Sequence, residues 1–423
     1  MELKFGMEKA DLRFAVLSDI HITHRGQGIE KFTEAVMQLV RMEPKPDAFV
    51  FSGDIAYQID KAGGGVADQL YEEPYDMINA VLRRYVSPLP VIYANGNHEF
   101  GQGRHEPDIT EAAVAMFREK TGKELHEHHV VGGYHFISMG IEDGHWHYTE
   151  NAESYAMAEC KKALAENPEL PVFLVFHIPV HQTVVDTEAK AHSEAFTQFL
   201  MENPRIVAIV GHLHTPVNDP RTIWQKAGGF TTVHAPLGAV GNLCIPKCEN
   251  RTQGGAPYSQ GLYFEVKGTK VLIHKLNFTT GKEVDEPWEL DTAQLLKGEG
   301  YYYTDRRKEI SNTPAFPQKT QVIWEFMGDG RLAVEFVKAD CKAAGRNQDG
   351  FTQYYRFDFS APGSNALCKS MVYASDFFAN QPGERFAAVL PTGLPRGKYV
   401  LTVTPISPFG KEGEPVVLKV KLK

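Results

Sequence analysis

Ala48-Phe49-Val50-Phe51-Ser52-Gly53-Asp54-Ile55-Ala56-Tyr57 is an apolar run that stops abruptly at Gly-Asp. An unbroken run of this kind reads as a strand buried on both faces, as in a parallel sheet, delivering a carboxylate at its C-terminal edge. Gly53 permits a close backbone approach that a side chain would block. Asp54, once ionised, is acceptor-only, so its two oxygens can each face a different cation. Gly-Asp alone is a common strand-to-loop turn, and its weight comes from other strand ends that carry similar side chains.

Working outward, residues 13–18 (RFAVLS) form a compact strand that ends at Asp19-Ile20-His21. Residues 29–42 follow with Phe32, Val36, Leu39 and Val40 at helical spacing, closed by Pro44 and Pro46. After the Asp54 strand come glycines 63–65, a helix over about 70–85, and a strand at 89–94 that ends at Gly96-Asn97-His98-Glu99. A helix over 110–120, a strand at 134–139 and a helix over 152–166 lead to residues 171–176 (PVFLVF), which end at His177. A helix from about 188 to 201 leads to the strand 205–210, which ends at Gly211-His212-Leu213-His214. Strands alternating with helices describe a layered α/β domain, completed by short strands near 231–234, 261–266 and 271–276.

The pattern changes from about Asp305. Val322, Trp324 and Phe326 alternate with outward positions, and Gly328-Asp329-Gly330 is a hairpin turn before Leu332, Val334 and Phe336. Further strands near 353–359, 369–373, 385–390, 399–405 and 416–421 predict a small all-β sandwich at the C-terminus. Leu394-Pro-Arg-Gly-Lys-Tyr399 resembles the tyrosine corner of fibronectin type III domains. The expected organisation is an α/β domain over residues 1–280, a connection over 281–304 and a β-sandwich over 305–423.

Of the 423 residues, 43% are hydrophobic and 23% charged, as in ordinary globular proteins, and the net charge of -9 disfavours a sequence-blind grip on nucleic acid. Five cysteines, an odd and sparse set, give no disulfide framework, and Cys244 and Cys248 lack the second pair of a zinc finger. Residues 1–9 hold no apolar signal-peptide core and no run is long enough to span a bilayer, so the expectation is a cytoplasmic protein, or a secreted one if a leader has been trimmed.

Strand ends thus carry Asp19 and His21, Asp54, Asn97 and His98, His177, and His212 and His214. In open α/β sheets ligands collect beyond the carboxyl ends of strands, so side chains far apart in sequence can converge there. Imidazole nitrogens with carboxylate and amide oxygens suit manganese, iron or zinc. The set exceeds what one tetrahedral ion takes, and two ions roughly 3.5–4 Å apart sharing a carboxylate fit it better.

Asp-x-His, Gly-Asp, Gly-Asn-His-Glu, a lone His after an apolar strand and Gly-His-x-His, in that order over about residues 13–280, resemble the calcineurin-like metallophosphoesterase superfamily. The resemblance implies a layered β-sandwich flanked by helices. It implies that Asp19, His21 and His214 bind one metal, that Asn97, His177 and His212 bind the other, and that Asp54 bridges them. His98 is then the histidine that contacts phosphate and helps protonate the leaving oxygen, in keeping with the difficulty of aiming adjacent residues 97 and 98 at one ion. Two cations would acidify water near neutral pH and clamp phosphoryl oxygens. Glu99 is either a support for His98 or a solvated loop carboxylate.

One departure concerns Tyr57. Gly53-Asp54-Ile55-Ala56-Tyr57 also matches the Gly-Asp-x-x-Tyr of purple acid phosphatases, but those carry Asp-x-Gly where this chain has Asp19-Ile20-His21, so Tyr57 is expected to pack or line the pocket. His24 and His181 are candidate substrate or support residues, and Arg104, His105, glycines 63–65 and Asn242 are candidate pocket residues. His145 and His147, beside Trp146, read as strand or turn residues. The expected function is hydrolysis of a small phosphodiester or phosphomonoester. The alternatives are a nuclease and a non-catalytic scaffold that keeps the fold. The C-terminal domain is expected to serve a protein, glycan or self-association partner.

Overall fold

The computed structural model describes residues 3, 6–60, 69–100, 107–235, 248–249, 258–364, 366–379 and 381–423. The fold is mixed α/β with additional all-β sheets toward the C-terminus. Two units divide it: the first holds most of the described residues up to Thr304, the second Asp305–Lys423 with short pieces including Asn218–Pro220.

In the first unit, strands Leu12–Leu17, Ala48–Ser52 and Val91–Ala94 run parallel as neighbours. Gln260–Lys267 and Lys270–Asn277 extend this sheet antiparallel beyond Leu12–Leu17. A second sheet sets Tyr134–Met139, Val172–Val175, Ile206–Val210 and Thr231–His234 parallel, with His126–Val131 and Ile223–Gln225 antiparallel at its edges.

The side-chain period of two explains the layering. Phe14 and Val16 face the second sheet, where the Phe14 ring lies 5.0 Å from Phe136 and 4.9 Å from Phe173. Ala15 and Leu17 face the other way and join the cluster that includes Phe32, Val36 and Leu39 of helix Ile29–Val40. Burial on both faces is why these strands read as unbroken apolar runs. Each fully buried Phe, Val or Leu contributes roughly 1.5–3 kcal/mol.

Residues 281–304, expected to be a connection, belong to the first unit. Trp288–Asp291 pairs with Lys270–Asn277 in the first sheet, and Trp288 and Leu290 are buried in the core between the sheets. Glu289 and Asp291 alternate with these two, a short pattern that reads as loop until its partner strand is known. The helix expected from about 188 starts at Glu194, because Ser193 caps it by accepting the Phe196 N–H at 3.1 Å. His126–Val131, rich in histidine, is a strand at the edge of the second sheet.

In the second unit, Ile323–Gly328, Arg331–Val337 and Arg385–Pro391 form one antiparallel sheet. Leu367–Ala374, Tyr354–Ser360, Gly397–Ile406 and Val416–Leu422 form another. Alternate residues of both, among them Leu332, Val334, Phe336, Phe357, Phe359, Leu401 and Val403, share one apolar cluster. Asp329 and Gly330 turn the first hairpin at φ 50° and 69°, the positive values that match strand twist in a two-residue loop. Among the described residues no helix is long and apolar enough to cross a membrane.

Candidate metal centre

The parallel strands of both sheets end at one place. Leu12–Leu17 is followed by Asp19 and His21, Ala48–Ser52 by Asp54, and Val91–Ala94 by Asn97 and His98. From the second sheet, Val172–Val175 is followed by His177 and Ile206–Val210 by His212 and His214. The turns interlock through backbone bonds: Asp19 N–H to Gly53 O at 3.1 Å, His21 N–H to Asp54 O at 3.0 Å and Gly211 N–H to His177 O at 2.9 Å. Glycine is required where the sheets meet most closely. A Cβ on Gly53 would strike the His177 ring, and one on Gly211 would strike Ser18 Oγ and the Asp19 carboxylate.

Asp19, His21, Asp54, His212 and His214 all have positive φ, between 49° and 75°. For side chains of this size the left-handed region costs of order 1–3 kcal/mol per residue, and such outliers gather at functional sites. Here the strain aims every one of these side chains at a common volume.

Two sets of donor atoms result, Asp19, His21, Asp54 and His214, and Asp54, His177 and His212, each with its atoms within 4.8 Å of one another. Asp54 belongs to both. His21 Nε2 lies 2.9 Å from His214 Nε2, which is 3.2 Å from Asp19 Oδ1. His212 Nδ1 lies 2.9 Å from Asn97 Oδ1, adding an amide oxygen to the second set. His177 Nε2 and Asp54 Oδ2 are 2.9 Å apart, yet both are buried and neither is in hydrogen-bond geometry with any partner. Two orphaned buried atoms facing each other are what a cation would satisfy, and the donor chemistry of nitrogen with carboxylate oxygen suits a divalent transition metal.

The electrostatics favour the ligating forms of Asp19, Asp54, His21 and His212. Burial opposes charge on Asp54, but His177 and His98 hold its carboxyl well below the ordinary range. Asp19 is likewise held low, burial being outweighed by His214. Burial beside His98 keeps His21 neutral, and burial beside His177 pushes His212 down to about 3. His177 goes the other way: burial pulls it down, but Asp54 prevails and lifts it to about 9. His214 is raised as well, Asp19 outweighing its burial, so His177 and His214 are the ligands that cation binding must deprotonate.

Glu99 is not a solvated loop carboxylate. It is fully buried, and its carboxylate accepts the N–H groups of Asp54 at 3.1 Å, Ile55 at 2.8 Å, Ala56 at 3.0 Å and Gly96 at 2.7 Å. It thereby ties the Asp54 turn to the Asn97 turn. Burial and the neighbouring Asp54 push its carboxyl up to about 7, against the pull of these donors.

His98 donates its backbone N–H to Asp54 Oδ1 at 2.7 Å, and its Nε2 stands 3.8 Å from Asp54 Oδ2. Its ring lies 4.4 Å from that of His21 and 4.9 Å from that of Tyr57, so Tyr57 does pack at the site. His24 lies flat on Tyr71 at 4.0 Å, and His181 is half-buried in the loop after His177. Arg104, His105, glycines 63–65, Asn242 and Cys244 lie outside the described residues. His145 and His147 sit in a turn, each within 4.0 Å of the Asp143 carboxylate.

Other residues that hold the site were not read from sequence. Tyr148 Oη accepts the N–H groups of His177 at 2.8 Å and Ile178 at 3.1 Å. His234 Nε2 accepts the Leu213 N–H at 3.2 Å, bracing the turn between His212 and His214. Tyr258 Oη donates to His214 O at 2.8 Å. His234 ends a parallel strand, the same signal that marks His177, whereas Tyr148 and Tyr258 carry none.

Comparison with known proteins bears on the same region. The family model for calcineurin-like phosphoesterases matches residues 12–216. No curated protein matches the chain. Among solved structures, zinc-complexed Vps29 from Entamoeba histolytica is 11% identical, covering 66% of this chain and 99% of its own at a TM-score of 0.32. A conserved uncharacterised protein from Streptococcus pneumoniae TIGR4, a predicted phosphoesterase, is 10% identical over 66% of this chain and 97% of its own, with a TM-score of 0.28. GAP50 of the Plasmodium inner membrane complex is 10% identical over 70% and 97%, with a TM-score of 0.41. Residues 12–216, which contain the five strands that end at the site and every candidate ligand, are a calcineurin-like phosphoesterase domain.

Proposed function

We propose that this protein is a dinuclear metal-dependent phosphoesterase that hydrolyses a small phosphodiester or phosphomonoester. The observation that carries this reading is the pair of donor sets sharing Asp54, with His177 Nε2 and Asp54 Oδ2 buried and without hydrogen-bond partners. In this reading Asp19, His21 and His214 hold one ion, Asn97, His177 and His212 hold the other, and Asp54 bridges them. Manganese, iron and zinc all fit the donors. A bound pair supplies Lewis acidity, acidifying water and neutralising charge on phosphoryl oxygens.

The remaining work falls to the chain's own residues. Asp54 fixes the His98 backbone, and the His98 ring, beside His21 and Tyr57, stands where it can give a proton to the departing oxygen. Glu99 and Tyr148 hold the turns so that the donor atoms need not reorganise when substrate arrives. The domain that begins near residue 305 is read as fibronectin type III-like, a reading supported by Tyr399 Oη donating to Pro395 O at 3.0 Å, the bond of a tyrosine corner. It is the candidate surface for a protein, glycan or second copy of the chain.

The test is a phosphoester panel run with each metal, beginning with bis-p-nitrophenyl and p-nitrophenyl phosphate, with the His98→Gln protein alongside. Metal-dependent turnover that drops in the variant supports the reading. Full metal loading with no hydrolysis of any ester would leave a scaffold, and preference for single-stranded DNA would make it a nuclease.

A further inference from the structure

Trp146 is 52% exposed, an unusual position for an indole, and its ring centroid lies 5.5 Å from that of His212 with the planes at 89°. Single exposed apolar side chains are ordinary, so its place matters more than its exposure. The segment that carries it is pinned on both sides to strand ends of the site. Before it, the Ile141 N–H donates to Asn95 Oδ1 at 2.7 Å while Asn95 Nδ2 donates to Ile141 O at 3.0 Å, two residues from Asn97. After it, Tyr148 Oη takes the N–H groups of His177 and Ile178, and Thr149 caps helix Glu150–Glu166 by accepting the Ala152 N–H at 3.2 Å. An exposed ring thus stands beside His212 in a segment anchored at both ends to strand ends of the candidate metal centre.

The surrounding rim is mixed in charge. His145 and His147 flank Trp146, and the Asp143 carboxylate faces both at 4.0 and 3.7 Å. Beside these charges the indole offers an apolar face. Tyr57 lies beside His98, also at the candidate centre.

We propose that Trp146 is a specificity-determining residue, a stacking platform for the planar aromatic part, aryl or nucleobase, of a small phosphoester bound at the Asp54 centre. The proposal rests on the phosphoesterase reading for its reaction, and on the exposed indole beside His212 for its binding.

Steady-state kinetics of Trp146→Ala and Trp146→Phe, with bis-p-nitrophenyl phosphate, a 2′,3′-cyclic nucleotide and glycerophosphoethanolamine, test it. Trp146→Ala is expected to raise KM for the aromatic esters about tenfold, the scale of one base–aromatic stack, with kcat within about twofold and the alkyl ester unaffected. Trp146→Phe is expected to stay near wild type, since a phenyl ring still stacks. A rise confined to the aryl ester or shared by the nucleotide tells which group is the natural one. Equal changes for all three esters, or none, overturn the proposal.

A binding measurement separates this from the reaction itself. Phenylphosphonate is expected to quench the tryptophan emission of the metal-loaded wild-type protein but not that of Trp146→Phe, and methylphosphonate to quench neither. If no ester is hydrolysed while this difference holds, the reaction is refuted and the platform stands. If the difference is missing, the platform is refuted whatever the hydrolysis.

Discussion

Replacing Glu99 with glutamine keeps the side chain's shape and withdraws half of its acceptors. One carboxylate oxygen takes the N–H groups of Ile55 and Ala56, the other those of Asp54 and Gly96. Whichever way the amide is turned, its NH2 group faces two N–H donors that have no acceptor. A buried donor left unpaired costs roughly 1–3 kcal/mol, so the pair costs about 2–6 kcal/mol. An uncharged amide regains part of what burial beside Asp54 imposes on the carboxylate, whose pKa is pushed up to about 7. The expected loss therefore falls in the lower half of that range, about 2–4 kcal/mol, a large share of a domain's roughly 5–15 kcal/mol. Hydrogen exchange read by mass spectrometry is the suitable assay, because it separates residues 54–56 and 96 from the rest. Faster exchange there, a lower denaturant midpoint and reduced metal content are expected together. Wild-type protection at those amides in the variant would show that the Glu99 carboxylate does not hold the two turns together.

Further outcomes follow from the same geometry. Asp54→Ala removes the carboxylate common to both donor sets, so elemental analysis should find both ions depleted; near-normal content would contradict a shared ligand. His98→Gln should keep its metal and lose about 10²–10⁴-fold in turnover of esters with poor leaving groups, and an unchanged rate would remove His98 from proton transfer. Tyr148→Phe leaves the buried N–H groups of His177 and Ile178 without their acceptor and should cost about 1–3 kcal/mol for each in chemical denaturation; an unaltered midpoint would mean water or another group replaces the hydroxyl. Away from the site, buried His274 lies between Glu283, at 2.6 Å, and Glu265, at 3.2 Å. Burial opposes its charge, but Glu265 and Glu283 outweigh it and raise the imidazole above 6.5, while Glu265, despite its own burial, is lowered below 4.5 by His274. The histidine's contribution is full below pH 6.5 and fades as pH rises through its higher folded value; that of Glu265 is full above pH 4.5 and fades in acid. The stability difference between wild type and His274→Phe should thus shrink from pH 6 to pH 9, and a difference independent of pH would refute the buried pairing.

Whether a feature could be read from sequence depended on how local its cause is. Asp19, Asp54, His177 and His212 were legible because each follows an apolar run directly, and a strand exposes polar groups where it leaves the core. The hairpin at Asp329 and Gly330 was legible because two successive positive φ values restrict the residues allowed there. Trp288–Asp291 was not, because only its pairing with Lys270–Asn277 makes so short a segment a strand. The tie that Glu99 makes was not legible, because its hydrogen-bond partners at residues 54–56 lie more than forty positions away.

By itself the sequence determined the long apolar strands of the core, which residues stand at their C-terminal ends, and that nitrogen and oxygen donors suited to transition metals are among them. Local periodicity and side-chain chemistry are sufficient for that much. Only the tertiary structure decided that Glu99 faces inward and that Trp146 stands against His212. Those are consequences of two sheets packing face to face, where a distance of a few ångströms is set by the cores of both sheets together and by no single stretch of chain.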